Sequence, residues 1–239
     1  MAGTNKHSWR TAVQALAIGL VAVSPVLADD AADDAKRITK SIEVLNDLTS
    51  TPDAAIPNYV LERAEAIVVI PSLVKGGFVV GAEHGKGVMS VRDRRTNQWS
   101  APAFVKMTGG SIGWQIGLQT VDLVLVVMNR EGVDDLLKSE FTLGGNASVA
   151  AGPVGRSAEA STDATMGAKI LAYSRAKGLF AGATLEGSSL RSDDDSNARF
   201  YGREISAKVI AESNFTAPPA AKQWRDALSR SVVQASASR

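Results

Sequence analysis

The sequence predicts an α+β fold: a mostly antiparallel, multi-stranded, curved sheet or barrel-like core, with an amphipathic helix at its N-terminal side and further helices at its C-terminal side. Two observations predict it. Apolar residues recur at steps of three and four near the start and again near the end, and between them runs a series of short β-rich segments separated by glycine and polar turns. Strands that follow one another without intervening helices argue against alternating βαβ units.

The elements follow in order. Lys6 and Arg10 precede an almost uncharged stretch from Thr11 to Val23, Pro25 breaks it, and Val26-Leu27-Ala28 ends in small residues ahead of Asp29 and Asp30. This is the pattern of a secretory signal peptide over residues 1–28 with cleavage near Ala28, because the stretch is shorter than the roughly 20 apolar residues that span a bilayer. The remainder, 29–239, is expected to form a single domain with its core at about 38–213, delivered to the periplasm or secreted. It would keep 24 basic and 25 acidic side chains, a formal charge of −1. A near-neutral chain has no global field for nucleic acid, so nucleic acid is not an expected partner, and membrane binding would need a local basic patch. The chain has no cysteine, so disulfides do not stabilise it.

Ile38, Ile42, Leu45 and Leu48 share one side of the first helix, with Lys36, Lys40, Glu43 and Asp47 opposite; Pro52 and Pro57 end it. Tyr59 to Ala66 reads as a shorter helix. Ile67–Ile70, closed by Pro71, then Phe78–Ala82 and Val88–Val91 read as short strands, and Arg94-Arg95-Thr96-Asn97 as a polar turn into a hairpin partner at Trp99–Met107. Val121 to Met128, interrupted only by Asp122, reads as a strand buried on both faces. A short helix is expected at Gly132–Lys138, strands at 146–151, 158–162, 169–174 and 179–185, and helices at Arg203–Ser213 and Ala220–Val233.

The run Gly109-Gly110-Ser111-Ile112-Gly113-Trp114-Gln115-Ile116-Gly117, leading into Asp122-Leu123-Val124-Leu125-Val126-Val127-Met128-Asn129, resembles the core signature of the SYLF domain family. Thr142 to Arg156, Tyr173 to Gly187, and Asn197 with Phe200-Tyr201-Gly202 agree in the same order. The resemblance covers roughly Ile38 to Ser213. It implies a lipid-binding, non-enzymatic domain, with phosphoinositides as ligands of eukaryotic members, other phospholipids in a bacterium, and no cofactor. Some eukaryotic members bind actin; for an exported protein actin is not an expected partner, since it would be met only inside a host cell.

The residues suggest and limit the chemistry. The glycine run 81–87 lacks the phosphate-loop spacing, and Gly109–Gly117 leads into a strand where a dinucleotide loop opens a helix. After cleavage His84 is the sole histidine, with no cysteine and no nucleophile elbow, so an enzyme would need carboxylates alone, and no pair stands out. Asp193, Asp195, Asn197 and Glu204 fall at positions one, three, five and twelve of a calcium loop, but Ala198 stands where that loop needs glycine; a solvated acidic loop is the favoured alternative. A lipid surface needs apolar area plus cations. Lys36, Arg37 and Lys40 at the start of the first helix, with Arg92, Arg94 and Arg95 at the hairpin turn, are the expected contacts with membrane phospholipids. The same helix pattern equally serves a helix packed on its own core, and a structural or protein-interaction domain of the envelope stays open as the alternative.

Overall fold

A computed structural model describes residues 25–50, 56–77, 80–112, 117–145, 148–154, 167–176, 179–182, 185, 187–213 and 217–237. The helical spacing of the first segment becomes α1 (Pro25–Ser50), followed by the short α2 (Asn58–Arg63). Among the described residues nine strands then form one sheet: β1 (Ala66–Gly77), β2 (Val80–Val91), β3 (Ala103–Ile112), β4 (Gly117–Val127), β5 (Glu140–Thr142), β6 (Val149–Ala151), β7 (Ile170–Ala176), β8 (Leu179–Gly182) and β9 (Ser189–Ser192). α3 (Arg130–Leu136) sits between β4 and β5, its first turn capped where Asn129 Oδ1 accepts from the Gly132 N–H at 2.8 Å. α4 (Asp194–Tyr201), α5 (Ala207–Glu212) and α6 (Pro219–Ala237) follow among the described residues.

The sheet order is β5-β9-β3-β2-β1-β4-β7-β6, with β8 also on β7, and it curls into a half-barrel. Its pairings are antiparallel except β6 with β7. Both faces carry a core. Val68, Ile70, Leu123, Leu125, Val105 and Met107 point into the curl against Phe141, Val133 and Ile210. Ile67, Val69, Val88, Phe104, Val124 and Val126 point outwards under α1, α2 and α6, where Ile38, Leu45, Val60 and Trp224 cover them. This double burial explains the near-continuous apolar run of β4, as expected.

Three expectations change. Pro71 does not close the first strand: β1 runs on to Gly77 through a bulge at Pro71-Ser72, where Ser72 adopts φ 56° and its N–H donates to Asp122 Oδ1 at 2.9 Å. The described part of the segment expected at 78–82, from Val80, and the segment at 88–91 belong to one strand, β2, because the intervening glycines do not interrupt it. They let it lie close to β1: a Cβ on Gly87 would stand 2.1 Å from the Val69 carbonyl oxygen. The acidic run expected as a solvated loop is a strand and a helix: β9 ends at Ser192, Asp193 is the N-cap, and α4 stops at Gly202 with φ 67°. The strand expected at 158–162 lies outside the described residues.

α1 lies across β1 and β2 beside α6, with α4 at its flank. The strands are longer than this cover. On β2, Ala82, His84 and Lys86 alternate as exposed positions with buried Glu83, Gly85 and Gly87, and beyond Lys86 burial is continuous. Thr108 and Gly110 on β3 and Leu118 and Thr120 on β4 are likewise exposed. The outer face of the sheet is thus covered at one end and open at the other.

Candidate functional site

Of the two basic groups expected to contact lipid, Lys36, Lys40, Arg94 and Arg95 are exposed, whereas Arg37 and Arg92 are partly buried. Arg37 is part of the packed structure: its side chain is 11% exposed, its Nη1 donates to Asp193 Oδ2 at 3.2 Å, and its guanidinium lies 5.2 Å from the Phe104 ring centroid. Lys36 is exposed and paired with Asp33 at 2.9 Å, and Lys40 is exposed. At the hairpin turn Arg92 donates to the Glu62 carbonyl at 2.7 Å and lies over Trp99, Arg94 holds the Glu65 carboxylate with a fork of contacts at 2.8 to 3.1 Å, and Arg95 is exposed. The turn itself is tied by Asp93, whose carboxylate accepts the N–H groups of Arg95 and Thr96; these bonds hold its pKa below the usual range. Arg37 sits on Phe104 of β3 while Arg94 sits beyond the start of β1, so the two groups do not merge through the contacts they make. The apolar side of α1 is also committed, with Ile38, Val44 and Leu45 buried.

Arg37 belongs to a network that joins α1 to α4. Asp34, 1% exposed, lies 3.2 Å from Arg37 Nη2 and accepts from Arg199 Nε at 3.1 Å. Ser196 Oγ donates to Asp193 Oδ2 at 2.9 Å and receives Arg199 Nη2 at 3.0 Å. Burial pushes the Asp193 carboxyl upwards, but the Ser196 hydrogen bond and the charges of Lys86, Arg37 and Lys106 outweigh it and hold the group below the usual carboxylate range.

The calcium pattern is not realised as a loop. Asn197 is fully buried and clamps β3, accepting from the Phe104 N–H at 2.8 Å and donating to the Phe104 carbonyl at 3.3 Å. Asp193 faces Arg37, while Asp195 and Glu204 line an open depression with Ala198 and Ile205. The four positions do not converge, and among the described residues no group of three or more His, Asp or Glu side chains could hold a metal ion.

What sequence reasoning missed is a row of cations across the open outer face. Register places Lys86 of β2 opposite Lys106 of β3, and Lys106 opposite Arg191 of β9. Directly opposed residues share a face at roughly 4.5–5.5 Å between Cβ atoms. Arg191 bridges to Glu140 of β5 at 2.5 Å, and Lys86 reaches Asp193 at 4.0 Å. The neighbouring row on the same face is His84, Thr108 and Ser189, and towards the far end Val74 and Leu118 are 39% and 79% exposed. On the inner face, Glu83 is buried, bridged to Lys75 at 3.1 Å and bonded by Ser188 Oγ. A Cβ on Gly109 would fall 2.7 Å from that Ser188 oxygen, which is why glycine stands there.

Fold and surface define a helix-backed curled sheet with one end of its outer face exposed among the described residues. Residues 108–231 match the Ysc84 family, described as Las17-binding protein actin regulator. The chain is 41% identical over 174 residues, 71% of its length, to Protein YSC84 of Saccharomyces cerevisiae, and 40% identical over 173 residues to LAS seventeen-binding protein 3 of the same yeast. It is 33% identical over 198 residues, 82% of its length, to SH3 domain-containing YSC84-like protein 1 of Homo sapiens. The chain belongs to this family, the SYLF family that its motifs resemble. It spans 36% of the length of the first yeast relative and 57% of the human one.

Proposed function

We propose that this is a non-enzymatic phospholipid-binding domain of the bacterial cell envelope, exported by removal of residues 1–28 and held peripherally at a membrane surface. The observation that carries the reading is the open outer face, where Lys86, Lys106 and Arg191 lie on the same side of the sheet as exposed Val74 and Leu118. Cations for headgroups and apolar side chains for the acyl boundary are the two requirements of such a surface. Contact is made by this face rather than by α1, whose apolar side chains already fill the outer core; Arg95 adds long-range attraction. Cleavage after Ala28 would leave intact the part of α1 that docks, which begins at Asp34 and Ile38. No helix among the described residues is long and apolar enough to cross a membrane.

Co-sedimentation of the chain from Asp29 with neutral and with anionic liposomes tests this. The expected result is salt-sensitive binding to the anionic vesicles, since the Debye length shortens from about 10 Å at 0.1 M towards 3 Å at 1 M salt. Absence of binding to every liposome would refute it. The names of the yeast relatives, which describe binding to Las17, favour a second reading, an interaction domain for a protein partner. On the phospholipid reading filamentous actin is not a partner, and pelleting of the chain with actin filaments would support the second reading instead.

A further inference from the structure

We propose that Lys86, Lys106 and Arg191 form a phosphate-binding row that takes the phosphomonoester headgroup of an anionic lipid; this rests on the phospholipid reading and gives it a site. Three cations on three adjacent strands in direct register is an arrangement that costs stability, because like charges facing each other across a ladder repel. The nearby carboxylates only partly offset it. Glu140 is engaged by Arg191 and also accepts from Ser189 Oγ at 3.0 Å. Asp193 is buried, shared with Arg37 and Ser196, and 4.0 Å from Lys86. Lys106, at the centre, acts on Asp193 through its charge alone, without a hydrogen bond or ion pair to any described residue, and it lies between two other cations.

A bound phosphate would resolve this. It carries close to two negative charges and accepts several charge-assisted bonds at once, so it can sit between the Lys86 and Lys106 ammonium groups with the Arg191 guanidinium at its side. Thr108, exposed and next along β3 on the same face, places a hydroxyl beside the row, and His84 lies opposite it. A lipid is favoured over a soluble phosphate because the face does not end there. Val74 pairs with His84 and with Thr120, and Leu118 follows one step further, so exposed apolar side chains lie beside the cations on one surface.

The test compares the wild-type chain with two variants that lose equal charge, K86Q/K106Q in the row and K36Q/K40Q on α1. Vesicles are phosphatidylcholine alone and phosphatidylcholine containing phosphatidic acid. Wild type is expected to sediment with the second, K86Q/K106Q to bind about tenfold or more weakly, and K36Q/K40Q within about twofold of wild type, given ~1 kcal/mol for each lysine held at the surface. Equal losses in both variants, or binding by K86Q/K106Q as tight as wild type, would overturn the row and leave the phospholipid reading standing. A second arm follows the melting temperature with inorganic phosphate. Without phosphate K86Q/K106Q is expected to melt at or above wild type, because repulsion is relieved, and only wild type should be stabilised as phosphate is added. If wild type ignores all vesicles yet is stabilised by phosphate through the row, the phosphate site stands and the lipid reading falls. If neither vesicles nor phosphate act, both fall.

Discussion

Replacing Arg37 by alanine should unfold the chain far more readily than replacing either neighbouring lysine. The guanidinium is 11% exposed, donates to Asp193 and to Ser196 at 3.3 Å, lies 3.2 Å from Asp34, and stacks on Phe104. Its loss leaves two carboxylates, 1% and 4% exposed, without their shared cation. Breaking a fully buried pair costs about 3–5 kcal/mol. The remaining partners reduce that, because Asp34 keeps Arg199 and Asp193 keeps Ser196 and, at 4.0 Å, Lys86. We therefore expect a loss of about 2–4 kcal/mol, the cation–π contact included. K36A and K40A, both at exposed positions, should stay within about 0.5 kcal/mol. Urea unfolding followed by tryptophan fluorescence measures this directly: with a slope of about 2 kcal/mol per M, the R37A midpoint should fall by about 1–2 M. An R37A midpoint indistinguishable from that of K40A would refute the assignment of Arg37 to the packed structure.

Further outcomes are as specific. In the Gly109-Gly110 pair, G109A should destabilise by about 1–3 kcal/mol, because its methyl group meets Ser188 and Glu83, whereas G110A, with its nearest atom at 3.7 Å, should be near neutral; equal effects in thermal melts would contradict the packing described. N197A should cost about 1–3 kcal/mol by orphaning the buried Phe104 N–H, while the Phe104 carbonyl keeps the Asp193 N–H at 2.9 Å, and calcium should leave the wild-type melting temperature unchanged; stabilisation by calcium would restore a metal role to this segment. Asp135 is held below the ordinary carboxylate range, first by its 2.6 Å bond from Lys138 and then, against burial, by Lys169. Its stabilising contribution is present above the unfolded carboxylate pKa near 3.9 and is lost as pH falls through the lowered folded value, so D135N should show a shallower loss of stability on acidification than wild type. Parallel acid curves for the two would refute that coupling.

Much of the fold was legible because it is written in local periodicity. The three- and four-residue spacing from Ile38 to Leu48 marks α1, the apolar run ending at Val127 marks β4, and the 94–97 turn marks the β2–β3 connection. β9 and α4 were not legible in the same way, since Ser-Leu-Arg-Ser followed by three aspartates has the composition of a loop. A signal was nevertheless present: Asp193 as an N-cap with Gly202 eight residues beyond the first helical position brackets one short helix. The candidate site was legible least. Lys86, Lys106 and Arg191 lie far apart in the chain, and nothing in single-strand alternation reveals which of them face each other; that depends on register, which the long β2–β3 hairpin and the β3–β9 pairing set. Arg37 shows the converse difficulty, because a cation on the flank of an amphipathic helix reads as surface until the element beneath it is known to offer a carboxylate.

The last helix has a consequence for the order in which the fold can form. Trp224 of α6 is fully buried in the outer core, and its Nε1 donates to Ser90 Oγ on β2 at 2.8 Å. α1 packs against α6, so the first and last helices of the described residues must meet before the outer core is sealed. The hairpins β1–β2 and β2–β3 join strands adjacent in sequence and can pair early, while the α1–α6 contact spans nearly the whole sequence and is the slowest kind to form. Until translation reaches α6, the part of the outer core that Trp224, Ala227 and Leu228 fill remains uncovered. A nascent or C-terminally truncated chain is therefore the form most in need of a chaperone, and shortening it ahead of Trp224 is expected to yield aggregation rather than a smaller folded domain.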